Sequence, residues 1–156
     1  MRCVSNASPI IFLSKLNALE LLTACFDEVH ISHAVVGEVT NIHIPNFLLV
    51  DAISDKGMGY VEGALGRLHS GELESMVLAK EISADYVLLD DLLARRKATS
   101  MGLQVMGTVG VIHLAYKMGK IDAKQGLSFI QALTQDHNLY LSQTMLKKVT
   151  SLFSPS

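Results

Sequence analysis

The chain has 156 residues, 49% of them hydrophobic and 18% charged, with 13 Lys and Arg against 15 Asp and Glu for a formal charge of −2. That length suits one domain, 1–156, with a true core, and the apolar content excludes disorder. The charge balance excludes nonspecific nucleic-acid binding through a globally basic surface and leaves only a local patch at Arg95-Arg96-Lys97.

No apolar run is long enough to span a membrane; Ser14 and Lys15, for example, interrupt the run at 10–13. Met1-Arg2-Cys3-Val4-Ser5 lacks the apolar region and cleavage site of a signal peptide, so the expected location is cytoplasmic, with no membrane partner. Cys3 and Cys25 are too few for a disulfide framework or a thiolate zinc site and are expected as buried free thiols.

In chain order, strand-like and helix-like segments alternate, the pattern of an α/β fold around a mostly parallel sheet of four to five strands. A strand over 2–5 ends at Asn6. Ser8-Pro9 reads as a helix N-cap followed by proline at the first helical position, opening a helical region through Cys25 that Asn17 divides. A strand at 29–32 precedes a helix at 34–40 carrying Glu38, and 47–50 supplies a third strand. Residues 55–68 hold Gly57, Gly59, Gly63 and Gly66, which makes a helix there marginal and mobility expected. Ser70, with Glu72 and Glu74 behind it, reads as the N-cap of a helix whose dipole the acids favour. Strands follow at 85–89 and 103–106. Gly107-Thr108-Val109-Gly110 opens a helix through Met118, and helices at 122–133 and 142–153 complete the chain. There is no internal repeat.

The richest segment is Leu88-Leu89-Asp90-Asp91-Leu92-Leu93-Ala94-Arg95-Arg96, where an apolar strand ends in two carboxylates and continues as a basic helix. Ligands of parallel sheets gather beyond the carboxyl ends of the strands. A helix cap accounts for one of these acids and leaves its neighbour over. Asn6, Glu38, Glu72, Asp90 and Asp91 all fall at strand ends or on the helices that follow. Such oxygen donors select a hard cation, Mg²⁺ or Mn²⁺, over zinc. The six histidines are scattered and none is assigned to metal.

These segments together resemble the PIN domain, the fold of many metal-dependent ribonucleases and of VapC-like toxins. Val4-Ser5-Asn6-Ala7-Ser8-Pro9-Ile10 is similar to the family's opening Asp-Thr-Ser or Asn-Thr-Ser-Pro. Glu38 in Ala34-Val35-Val36-Gly37-Glu38-Val39, then Leu68-His69-Ser70-Gly71-Glu72-Leu73-Glu74, the Asp90-Asp91 segment and Gly107-Thr108-Val109-Gly110 follow in the family's order. The resemblance implies a three-layer α/β/α domain with an acidic pocket at the C-terminal edge of the sheet. It places Asn6, Glu38, Glu72 and Asp91 as metal ligands, with Asp90 a further ligand and Glu38, Glu72, Asp90 and Asp91 as the catalytic acids. At the third position Glu74 competes with Glu72, because residues two apart on a helix point about 200° apart and only one would enter the pocket. Ser8 matches the hydroxyl that orders the first strand end, and Arg95 and Arg96 are candidates for a substrate phosphate.

The activity so implied is hydrolysis of an RNA phosphodiester, by water activated with Mg²⁺ or Mn²⁺, with RNA as substrate. The departure from active PIN nucleases is Asn6 in place of the usual first aspartate, which offers an oxygen without a charge. The alternative is a PIN module weakened in catalysis that binds RNA or a protein without cutting. A phosphoacceptor receiver domain would carry its paired acids after the first strand, and a dinucleotide-binding domain would need G-x-G-x-x-G there. The apolar composition, the glycine-rich 55–68 segment and the late helices imply association, as a homodimer. The toxin resemblance adds an antitoxin-like protein that covers the acidic groove with a basic side chain.

Overall fold

A computed structural model describes residues 1–154 of the chain. Five short strands, β1 (Arg2–Ser5), β2 (Glu28–Ser32), β3 (Leu48–Asp51), β4 (Tyr86–Leu88) and β5 (Val105–Met106), form one sheet in the order β3-β2-β1-β4-β5. Every pairing is parallel. Parallel neighbours need crossover connections, and the helices between the strands supply them. The β1 residues Cys3, Val4 and Ser5 are fully buried, as expected of the central strand of a sheet covered on both faces.

Register assigns the two faces. Cys3 aligns with Val29 and Tyr86, and Val4 with His30 and Val87. Cys3, Val29, Ile31, Leu48 and Leu88 join the larger core with side chains of α1 (Ala7–Lys15), α2 (Leu21–Cys25), α7 (Thr108–Lys117), α8 (Ala123–Asp136) and α9 (Gln143–Ser151). Val4 and Val87 face the other way, onto Met76, Leu78 and Ala79 of α5 (Ser70–Glu81) and Ala94 and Ala98 of α6 (Leu92–Ser100). Each large aliphatic side chain buried this way contributes about 1.5–3 kcal/mol. The result is the three-layer α/β/α arrangement. Both cysteines are buried free thiols, and burial raises the pKa of each. Among the described residues no helix is long and apolar enough to cross a membrane.

Several local expectations need correction. The first helix begins at Ala7 with Asn6, not Ser8, at the N-cap, so Ser8 and Pro9 lie inside its first turn. Proline is tolerated there because the first-turn N–H groups have no intrahelical acceptor to lose. Asn17 does divide the region, at a positive φ of 53°. The following helix, α3 (His33–Glu38), is capped by Ser32, whose side chain accepts from Val35 N.

The glycine-rich segment is not left irregular: α4 spans Asp55–Ala64. Ser54 caps it through Gly57 N, and Glu81 of α5 binds Ser54 through both its backbone N–H and its hydroxyl. Gly57 is where α4 and α5 touch, since a Cβ there would stand 2.7 Å from Val77 Cγ1. Contact with α5 thus offsets the poor helix propensity of glycine.

At α5 the N-cap is His69 rather than Ser70, with Glu72 returning to accept from His69 N at 3.0 Å. Residues 71–79 are all buried, so this helix has no solvent face along most of its length. Strands β4 and β5 are shorter than their apolar runs, and Leu89 continues the ladder by donating to Met106 O. At the far end, Gly126 of α8 lies flat against the Phe153 ring, where a Cβ would stand 2.5 Å from it.

Candidate acidic site

Because the strands are parallel, β1, β2 and β4 release Asn6, α3 and the Asp90-Asp91 pair at the same edge of the sheet. Asn6 donates its backbone N–H to Leu88 O at 3.0 Å, which ties the end of β1 to the end of β4. Asn6 is 5% exposed, and its Oδ1 is buried with no hydrogen-bond partner among the described residues. A buried acceptor left unmatched costs about 1–3 kcal/mol, so this oxygen stands out chemically.

Glu38 closes α3, and its carboxylate fills the space that Gly71 leaves at the start of α5. A Cβ on Gly71 would lie 2.0 Å from Glu38 Oε1. The glycine therefore lets the α3 C-terminus meet the α5 N-terminus. Desolvation raises the pKa of Glu38, His69 opposes the rise, and the like charges of Glu72 and Glu74 add to it. Glu38 also lines a cavity of about 370 Å³ with Ile11, Lys15 and Asn41.

Glu72 and Glu74 are both buried, at 7% and 8% exposure. The two diverge: Glu72 curls back to the cap, while Glu74 reaches across to α3, with Ala34 N 3.4 Å from Oε1. Asp91 is the N-cap of α6, accepting from Ala94 N at 2.9 Å. Asp90, which a cap could not explain, binds α7 instead. It accepts from Thr108 N and from Thr108 Oγ1, each at 2.7 Å. Burial raises the pKa of Asp90, while both Thr108 bonds and the charge of Arg95 oppose the rise.

The structure thus brings Glu38, Glu72 and Glu74 into one electrostatic neighbourhood beside His69, and holds Asp90 and Asp91 at the starts of α7 and α6. Among the described residues no three His, Cys, Asp or Glu side chains are grouped as they would be around a metal ion. The physical reason is that Glu72, Asp90 and Asp91 are turned toward backbone N–H groups at helix starts. Ser8 is half-buried in the first turn of α1, while Arg95 and Arg96 are exposed on α6. Three contributors were not foreseen: Gly71, His69 and Thr108. Only Thr108 carried a signal in sequence, as a hydroxyl directly after the glycine that opens a helix.

A family model, DUF3368, described as a PIN domain, matches residues 2–155. The chain belongs to the PIN domain family. No curated protein matches it. PIN domain membership agrees with the parallel sheet and the acidic edge, and it makes this a nuclease-type fold.

Proposed function

We propose that this PIN domain is a divalent-metal-dependent ribonuclease acting at the acidic edge. The observation that carries the reading is the unmatched Oδ1 of Asn6, an acceptor at the end of the central strand that a hard cation would satisfy. Asn6, Glu38, Glu72 and Asp91 would hold Mg²⁺ or Mn²⁺, with Asp90 or Glu74 as a further carboxylate. The bonds to His69 N and Ala94 N use one oxygen each of Glu72 and Asp91 and fix their orientation, leaving the second oxygen available. A bound divalent cation supplies charge for the phosphoryl oxygens and a lowered pKa for the attacking water. The chain's own part is to position. Gly71 admits the Glu38 carboxylate, Thr108 steadies Asp90, Ser8 stands in the first turn after Asn6, and Arg95 and Arg96 offer charge to a substrate phosphate.

The test is cleavage of end-labelled single-stranded RNA with Mn²⁺, against an EDTA control and Glu38→Gln. Cleavage that EDTA abolishes and the variant lowers about a hundredfold is expected. A folded wild-type protein that leaves a broad set of RNAs intact in Mn²⁺ would sink the reading. A toxin role, with an antitoxin-like protein over the acidic edge, adds that induced expression arrests growth of a bacterial host and that Glu38→Gln relieves the arrest.

A second reading, a module that binds RNA or protein without cutting, is favoured by the neutral Asn6 and by carboxylates already engaged with backbone donors.

A further inference from the structure

Two cavities meet at the β5 edge of the sheet, neither of them lined by Glu38, Glu72 or Glu74. The first, of about 360 Å³, lies between the start of α7 and the segment joining α8 to α9, with Val105, Met106, Val109 and Leu141 among its walls. Tyr140 stands at its rim, 84% exposed. The second, of about 600 Å³, is a groove lined by Arg95, Arg96, Thr99 and Gln104. Arg95 and Val105 line both, so the two form one tract. Asp90 lines the first cavity, where its oxygens accept from Thr108 and it faces the charge of Arg95.

We propose that this tract binds single-stranded RNA, with one base stacked on Tyr140 over the apolar cavity and the neighbouring phosphates held by Arg95 and Arg96. The inference rests on the ribonuclease reading and deepens it by naming how substrate is held. The chemistry matches part by part. An exposed phenol ring beside hydrocarbon walls offers a stacking platform that accepts any base face. The adjoining groove offers two guanidinium groups, which pair with phosphate oxygens bidentately. The one acid lining the tract, Asp90, faces Arg95, whose positive charge offsets its own toward a passing phosphate. A cavity of this size admits a base only when it is unstacked, which selects single strands over duplexes.

Binding of a fluorescein-labelled single-stranded RNA, followed by anisotropy in EDTA, tests the tract without cleavage. Wild-type protein is expected to bind the single strand and to bind the matching duplex more weakly. Tyr140→Ala should weaken single-strand binding about tenfold, with Tyr140→Phe retaining it. Arg96→Ala should weaken it and lower the salt slope by about one. The proposal is overturned by no binding of single-stranded RNA, by equal binding of the duplex, or by Tyr140→Ala binding like wild type. It is also overturned if Tyr140→Ala changes only the oligomeric state, which would make the cavity an interface between copies. Tyr140-dependent binding with no cleavage in Mn²⁺ leaves this inference standing and removes the ribonuclease reading. Cleavage that Tyr140→Ala leaves unchanged does the reverse.

Discussion

An amide at position 6 can be buried without burying a charge. A carboxylate buried to the same degree as Asn6, with no donor beside its oxygen, would carry an uncompensated charge. Asn6→Asp is therefore expected to lower the melting temperature in EDTA and to recover it in Mn²⁺. It should also tighten Mn²⁺ binding by roughly tenfold, because affinity follows the number of charged ligands. Calorimetric titration paired with thermal melts checks both halves, and unchanged Mn²⁺ binding in a folded variant would mean that residue 6 is no ligand. The polar residues at strand ends, Asn6, Asp90 and Asp91, were legible in sequence because an apolar run that stops at a carboxylate or amide marks the sheet edge. Their hydrogen-bond partners were not legible. Thr108 lies 18 residues from Asp90, and nothing local in the chain announces that the two meet.

Among the elements, the contact between α3 and α5 decides where Glu38 goes. Gly71→Ala adds a methyl group where Glu38 Oε1 now lies. The carboxylate is the free end of a flexible side chain and can swing away, and alanine is the better helix former by up to about 1 kcal/mol. The expected outcome is a melting temperature equal to or above wild type with RNA cleavage reduced. Unaltered cleavage would show that the Glu38 position is irrelevant to the chemistry. This junction also shows what periodicity can and cannot reveal. The alternating strands and helices were readable from apolar runs and breakers, including the break at Asn17. The α4 helix was not, because its glycines argue against it locally while the decisive contacts, Val77 and Glu81, belong to α5.

For the molecule as a whole, apolar side chains remain outside the two faces of the sheet. Leu49 and Val50 on the edge strand β3, and Met58, Tyr60 and Leu65 on and after α4, are each between 38% and 53% exposed. Exposed apolar side chains mark an interface where they adjoin one another. A homodimer is accordingly expected, with light scattering at tens of micromolar returning about twice the 17.0 kDa of one chain. A mass of one chain at that concentration would refute it.

The position of β1 at the middle of the strand order has a consequence for synthesis on the ribosome. Arg2 donates to Asp85, 83 residues away, and β1 pairs with β4 only after that stretch has been made. Until then the nascent chain can close β3-β2-β1 on one side while the other side of β1 keeps its hydrogen-bonding groups unpaired, an open edge that invites strands from other chains. Translation halted before β4 would release a half-sheet ending in that sticky edge, so abortive products of this chain should aggregate where the finished one does not.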